Sequence, residues 1–327
     1  MNNTFQALTI YIALFSIAAL LSSCGADPAV KYYNLGVEAA ERGEFEEAIE
    51  LWKKSLKHRP SDPETRYNLG TALIEKGQYK KAEKEFLEAT ILNPDDHESH
   101  YGLGKSLEMQ SKYMAAKRSY ERSLHLKPNF VPPLLGLASC TLKQGQNRSA
   151  ENYATQALKL DPRNLEGNLL LSEAYYRNSN YQAAYVQLLS ARKFAIKNPD
   201  LLLLLGKAAY ARHMYIDALD ALTSARSSGL LNSEVFLYLG LTTLALEQLS
   251  EAEKYFRLSI FKNSREASAW KGLGKTYINM EKWDEAAEAF SKGEEIEPSD
   301  LEIALGISLV FLNSGRYDEA VKKLEII

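Results

Sequence analysis

Cysteine is almost missing from this 327-residue chain, which holds only Cys24 and Cys140. That excludes a disulfide framework and a four-cysteine zinc site. An excess of either charge is lacking as well: 39 Lys and Arg stand against 42 Asp and Glu, for a net charge of −3. No basic field of the kind that gathers nucleic acid exists, and no nucleic-acid partner is expected. Glycine-rich phosphate loops, nucleophile–base sets and metal-ligand motifs are also wanting, so the expectation is a non-enzyme with neither metal nor cofactor. What remains is 46% hydrophobic and 25% charged, an ordinary globular balance with material for a large core.

One long apolar run is present. It extends from Ala7 to Leu21, "ALTIYIALFSIAALL", and Ser22-Ser23-Cys24-Gly25 follows directly. The run is short for a membrane span and suits the core of a signal peptide, with an uncleaved anchor helix as the alternative. Leu21-Ser22-Ser23-Cys24 resembles the lipobox of bacterial lipoproteins. That resemblance implies cleavage after residue 23 and a diacylglyceryl thioether on Cys24, whose thiolate is a strong nucleophile. The segment "MNNTFQ" departs from the pattern in carrying no Lys or Arg. Residues 24–28 are then a lipidated cysteine and a tether of less than roughly 20 Å, so the first folded unit sits near the bilayer. Gly25 after the cysteine, where Asp commonly signals inner-membrane retention, favours the outer membrane of a diderm envelope, facing the periplasm.

The rest of the chain repeats. Leu35-Gly36 recurs as Leu69-Gly70, Leu103-Gly104, Leu137-Ala138, Leu171-Ser172, Leu205-Gly206, Leu239-Gly240, Leu273-Gly274 and Ile307-Ser308, always 34 residues apart. Alanine keeps the same step from Ala48 through Ala82, Ala116, Ala150, Ala184, Ala218, Ala252 and Ala286 to Ala320. Such a period indicates stacked helix–turn–helix units. Pro60, Pro94, Pro128, Pro162 and Pro298 mark where units end.

These positions resemble the tetratricopeptide repeat (TPR) family, with Leu at position 7, a small residue at 8, Ala at 20, an aromatic at 24 and Pro at 32. "YYNLGVEAAERGEFEEAIELWKKSLKHRP" from Tyr32 and "WKGLGKTYINMEKWDEAAEAFSKGEEIEP" from Trp270 are good copies. The resemblance covers 29–327, with repeats starting at 29, 63, 97, 131, 165, 199, 233, 267 and 301, the last incomplete. It implies an all-α, right-handed superhelix, an α-solenoid in which small residues let backbones approach and large ones fill between them.

In the family, positions 2, 5, 9, 12 and 13 of the first helices usually meet ligand, and positions 5, 9 and 12 are the ones carried over. Carried onto this sequence, the resemblance selects Tyr33, Tyr67, Tyr101, Leu135, Leu142, Leu169, Tyr176, Leu203, Tyr210, Leu237, Leu241 and Leu244, with Leu305, Leu309 and Leu312 in repeat nine. In the run Leu201 to Leu205, Leu202 and Leu205 are packing positions and Leu201 should face the preceding helix. Leu203 and its neighbour Leu204 should face an apolar groove suited to a peptide or amphipathic helix. The carboxylate clamp of some family members is incomplete here, with Tyr33, Val37 and Asn68 in its place. Asn34 and Asn68 resemble the start of an asparagine ladder.

Other polar residues read as structure. His97 and His100 have helical ligand spacing, but His100 falls on a packing position and no third histidine is in register. Cys140 stands where other repeats hold Ala or Thr and reads as a small buried residue. Repeats three to five are basic and repeat eight is acidic, most simply as solvated faces. The sequence stops at "KKLEII" without a polar capping helix, which suggests end-on self-association or a truncated chain.

The expected function is therefore a membrane-tethered scaffold that binds other envelope proteins. Anchor and repeats together are similar to pilotin-type lipoproteins of secretin and pilus assembly and to lipoprotein adaptors of peptidoglycan hydrolases. The alternative is an envelope carrier that holds glycan or polymer on Tyr33, Tyr67 and Tyr101.

Overall fold

The computed structural model describes residues 27–325. Cys24, the apolar run before it and Ile326-Ile327 lie outside the described residues. Within them are eighteen α-helices and no strand, paired as nine hairpins, so the fold is an α-solenoid. No helix among the described residues is long and apolar enough to cross a membrane.

The hairpins fall into two compact units that divide between Pro162 and Arg163. The first contains α1 (Pro28–Glu41), α2 (Phe45–His58), α3 (Pro63–Glu75), α4 (Tyr79–Leu92), α5 (His97–Glu108), α6 (Tyr113–Leu126), α7 (Val131–Lys143) and α8 (Asn147–Leu160). The second contains α9 (Leu165–Arg177), α10 (Tyr181–Arg192), α11 (Pro199–Ala211), α12 (Tyr215–Ser227), α13 (Ser233–Ala245), α14 (Leu249–Lys262), α15 (Ala267–Asn279), α16 (Trp283–Ile296), α17 (Leu301–Asn313) and α18 (Tyr317–Leu324). Odd-numbered helices open the repeats and even-numbered ones close them.

Local sequence explains where helices start and stop. Asp62, Asp96, Asn164, Asn198, Asn232 and Asp300 each precede a first helix, and their side chains accept hydrogen bonds from its exposed N–H groups. They recur at the repeat period, with Phe130 and Glu266 the non-capping exceptions. Inside each hairpin, position 15 takes a left-handed conformation in all nine repeats. Glycine supplies it at Gly43, Gly77, Gly145 and Gly315; Ser111, Ser179, His213, Glu247 and Glu281 adopt it at φ near 60°.

Packing depends on the side chain at position 24 of each closing helix. Phe86 is wholly buried between two glycines, Gly70 of its own repeat and Gly102 of the next; a Cβ would come 2.9 Å from the ring at the first and 2.3 Å at the second. Tyr120 lies in the same way between Gly104 and Gly136, Phe256 between Gly240 and Gly272, and Phe290 between Gly274 and Gly306. One ring thus fixes both the helix spacing inside a repeat and the approach of the next repeat.

Where position 24 carries a smaller side chain, position 6 of the following repeat is large. Leu188 is followed by Leu204, and both lie in one core cluster. Leu222 is followed by Tyr238, which packs against the cluster that contains Leu222. This exchange of volume corrects the expectation for the leucine run: Leu204 is 7% exposed because it fills space that a ring occupies elsewhere. Leu203 is 8% exposed and packs in the cluster with Phe236 and Tyr255, so all five leucines are core.

Within each unit, first helices also touch the first helices of neighbouring repeats: α3 with α5 and α5 with α7, then α9 with α11 and onward to α17. Closing helices do not pack against one another to a comparable extent among the described residues. First helices therefore line the inner side of each unit, and closing helices the outer side.

Gly272→Ala is expected to destabilise the protein by about 1–3 kcal/mol through overpacking on Phe256. Combined with Phe256→Leu, which imitates Leu188 and Leu222, the loss should be well below the sum of the two single changes. Denaturant unfolding of the four proteins measures this coupling, and additive losses would refute a shared space.

Candidate functional site: the inner face of the first helices

In the first unit, the position-5 tyrosines form the start of the inner face. The Tyr33 hydroxyl donates to Glu64 Oε1 at 2.5 Å and accepts from Asn68 Nδ2 at 3.1 Å. Tyr67 lies edge-on to Phe86, with ring centroids 5.8 Å apart. Tyr101 packs against Tyr120 at 5.8 Å and against Phe130 at 5.6 Å. Each of the three is half-buried.

Glu108 follows on α5 and is the best-satisfied acid of this unit's inner face. Its carboxylate accepts from Tyr120 Oη at 2.6 Å and Ser139 Oγ at 2.7 Å, with Lys105 Nζ at 3.5 Å. Leu135 and Leu142 are buried, at 6% and 4% exposure. This corrects their reading as groove surface: α7 is apolar on almost every side and packs all round. Cys140 on the same helix is a free, fully buried thiol whose pKa burial pushes up to about 12.

The second unit carries a denser constellation. The Tyr176 and Tyr238 hydroxyls meet at 3.2 Å. Lys207 Nζ lies 5.2 Å from the centre of the Tyr176 ring and 5.5 Å from that of Tyr238, and it donates to Glu234 Oε1 at 2.6 Å. Each cation–π contact of this partly desolvated kind is worth roughly 0.5–2 kcal/mol. Tyr210 stands edge-on to Tyr238 at 6.0 Å and packs on Tyr215 at 5.7 Å.

Further along, Lys271 Nζ bridges Asp300 at 2.7 Å and Glu302 at 2.9 Å, and Lys275 also pairs with Glu302. Burial raises the pKa of Tyr210, and the charges of Tyr215 and Glu302 add to it. Leu169, Leu241 and Leu244 are half-buried there, whereas Leu237, at 9% exposure, belongs to the core and not to the surface. Leu305, Leu309 and Leu312 are the exposed leucines of the inner register.

The inner face is therefore aromatic and ion-paired as well as apolar, with Leu169, Leu241, Leu244, Leu305, Leu309 and Leu312 on it and Leu135, Leu142, Leu203 and Leu237 in the core. Tyr238, Glu234 and Glu302 are its unanticipated members. The signal for Tyr238 was in the sequence: position 6 is glycine wherever position 24 of the preceding repeat is Phe or Tyr, and Tyr238 follows Leu222. His97 and His100 do not meet in a site. His97 packs on Phe130 and contacts Lys127, and His100 Nε2 contacts the Pro94 carbonyl at 3.0 Å. Among the described residues no group of three or more His, Cys, Asp or Glu side chains is placed to hold a metal ion.

Comparisons agree with this architecture. The tetratricopeptide repeat family matches residues 39–105 and again residues 271–326, and the family described as anaphase-promoting complex, cyclosome, subunit 3 matches residues 143–225. The chain belongs to the tetratricopeptide repeat proteins. No curated protein matches it in a sequence search.

Among solved structures, the APC/C hetero-tetramer Cut9–Hcn1 superposes with a TM-score of 0.65 at 17% identity, over 81% of this chain and 52% of that one. This chain thus spans about half the length of that neighbour. A tetratricopeptide repeat protein from Parabacteroides merdae gives 0.60 at 12% identity, over 77% of this chain and 99% of that one. A segment of MamA from Desulfovibrio magneticus RS-1 gives 0.50 at 23% identity, over 53% of this chain and 97% of that one. Identities this low establish the fold alone. With the repeats comes the general role of the class, a scaffold for protein–protein interaction.

The buried tyrosines predict an alkaline limit to stability. Burial raises the pKa of Tyr67, Tyr176, Tyr210 and Tyr238, with the neighbouring tyrosine hydroxyl adding to it at Tyr176. The folded chain keeps them protonated where the unfolded chain would ionise them. Their contribution is full below about pH 10 and is lost as pH rises from there toward the folded values. Thermal melts by circular dichroism should fall above about pH 10, less steeply in Tyr67→Phe. Equal slopes in both proteins would contradict this assignment.

Proposed function

We propose that the protein is a lipid-anchored scaffold of a bacterial envelope that recruits other envelope proteins through the inner face of its first helices. The observation that carries the binding site is the Tyr176–Lys207–Tyr238–Tyr210 constellation with Lys271, Lys275 and Glu302 beside it. It offers rigid aromatic edges, hydroxyls and exchangeable ion pairs, the side-chain types that anchor protein interfaces. A peptide or helix with aromatic and charged side chains fits this chemistry better than a purely apolar one. Assembly of secretins or pili and recruitment of peptidoglycan enzymes are both tasks such a scaffold performs.

The anchor reading is supported by the Leu21-Ser22-Ser23-Cys24 motif and by the short connection from it to α1. In the producing cell, wild type should take up labelled fatty acid and remain with membranes, and Cys24→Ser should do neither as a processed chain. Unlabelled wild type of full uncleaved mass would favour the anchor-helix alternative.

The binding reading is tested by crosslinking and co-purification from native membranes, comparing wild type with Tyr210→Ala, Lys275→Glu. Recovery of one partner should drop roughly tenfold or more while melting and membrane attachment persist. An unchanged partner set removes the inner face as the site, and glycan retention by both proteins would favour the carrier alternative.

A further inference from the structure

The outer side of the first unit holds a basic groove that the inner-face reading does not use. It runs between α2 and α4 over the buried Leu69 and Leu73 of α3 and encloses about 570 Å³. Six cations line it, Lys53, Lys57, Arg66, Lys80, Lys81 and Lys84, against one carboxylate, Glu85. Arg66 is committed to Glu85 at 2.7 Å and to the Pro60 carbonyl at 2.8 Å, and Lys53 pairs with Glu50 at 2.8 Å. Lys57, Lys80 and Lys84 form no ion pair among the described residues and are exposed. The inner face differs in this respect, because Lys207, Lys271 and Lys275 are each paired with a carboxylate.

Two further observations specify the partner. On α4 the spacing Lys80, Lys84, Leu87, Ile91 follows one helix face, and Leu87 and Ile91 are 48% and 63% exposed. Cationic side chains followed by exposed aliphatic ones suit the boundary between headgroups and acyl chains. The second observation is the position of the chain entry. Asp27, which caps α1, bridges Arg59 at 2.5 Å just beyond the end of α2, and Lys57 lies in the last turn of that helix. Cys24 is three residues before Asp27, so covalent geometry keeps it within about 11 Å of this corner. That is close to one Debye length at physiological ionic strength.

We infer that the α2–α4 groove is a second membrane contact, which lays the first unit against anionic phospholipid headgroups beside its own anchor. The inference rests on the lipid-anchored reading for its geometry, and the two can fail separately. A lipid on Cys24 fixes distance only; the lysines fix which side of the solenoid faces the bilayer. The inner face of that unit is then turned away from the bilayer.

The test uses the chain from Gly25 onward, which keeps every contact described above, Asp27 being the first of the described residues. It is sedimented with phosphatidylcholine vesicles, with or without about one-third phosphatidylglycerol, at low salt. Binding to the anionic vesicles alone is expected. Lys57→Gln, Lys80→Gln, Lys84→Gln should weaken it roughly 100-fold, since each basic residue near an anionic surface contributes about a factor of five. Lys117→Gln, Arg118→Gln, Arg122→Gln removes equal charge elsewhere in the same unit and should change little. Equal losses in both triple variants, equal binding to both vesicle types, or binding of inorganic phosphate without vesicle binding would overturn the proposal. Acylation of the full chain is read separately by mass. An unacylated full chain beside selective vesicle binding refutes the anchor alone, and an acylated one without phosphatidylglycerol dependence refutes the groove alone.

Discussion

A ring held between two glycines is the constraint on which this structure depends. Phe86, Tyr120, Phe256 and Phe290 each bury against backbone that has no side chain to withdraw, so helix spacing is set by the thickness of an aromatic ring. Burial of such a side chain is worth roughly 1.5–3 kcal/mol, but its geometric effect is larger than its energy. The same ring touches two successive repeats, and nearest-neighbour stability in a solenoid passes through contacts of this type. Glycine in mid-helix costs about 0.8–1 kcal/mol relative to alanine, and the chain accepts that cost because a methyl group would occupy the ring's place.

The same constraint decides what the inner face can display. Position 6 lies next to a groove position, and it is glycine wherever the preceding ring is Phe or Tyr, whereas Trp52 is followed by Asn68. Leu188 and Leu222 release that restriction, and Leu204 and Tyr238 occupy the space. The aromatic cluster of the second unit is thus a by-product of smaller packing residues one repeat earlier. The aromatic cluster therefore lies where the core pattern loosens, in repeats five to seven.

Much of the fold was legible because it is periodic. The unbroken 34-residue step of Leu-Gly and Ala located all nine hairpins, and the capping Asp and Asn residues keep that step. The site was legible only in part, because exposure is decided by the neighbouring repeat and not by register alone. Leu203 and Leu305 hold the same position 5, yet one is 8% and the other 51% exposed. Leu203 lies under the first helix of the next repeat, while no helix follows α17 and α18 on that side among the described residues. Register assigned Tyr33, Tyr67 and Tyr101 to the inner side, but the Tyr33 hydroxyl partners Glu64 and Asn68 and the ring partners Phe86 of Tyr67 and Tyr120 of Tyr101 come from other helices, which register alone does not relate.

Charge is handled differently on the two sides, and the difference has a physical reason. On the inner face of the second unit lysines meet carboxylates from the next repeat, Lys207 with Glu234 and Lys271 with Asp300, and in the first unit Lys105 lies near Glu108 of its own helix. First helices approach one another closely there, so an unpaired charge would be partly desolvated at a cost of several kcal/mol. Pairing removes that penalty and leaves donors and acceptors that a ligand can exchange with its own groups. On the outer side of the first unit water solvates a lysine at little cost, and Lys57, Lys80 and Lys84 stand exposed there with no ion pair among the described residues. A surface whose charges are already neutralised selects by shape and hydrogen bonding, whereas one with uncompensated charge attracts over a Debye length and selects weakly. Within each unit, crowding therefore sorts charge: the inner side holds paired lysines, and the outer side of the first unit holds exposed lysines without an ion pair among the described residues.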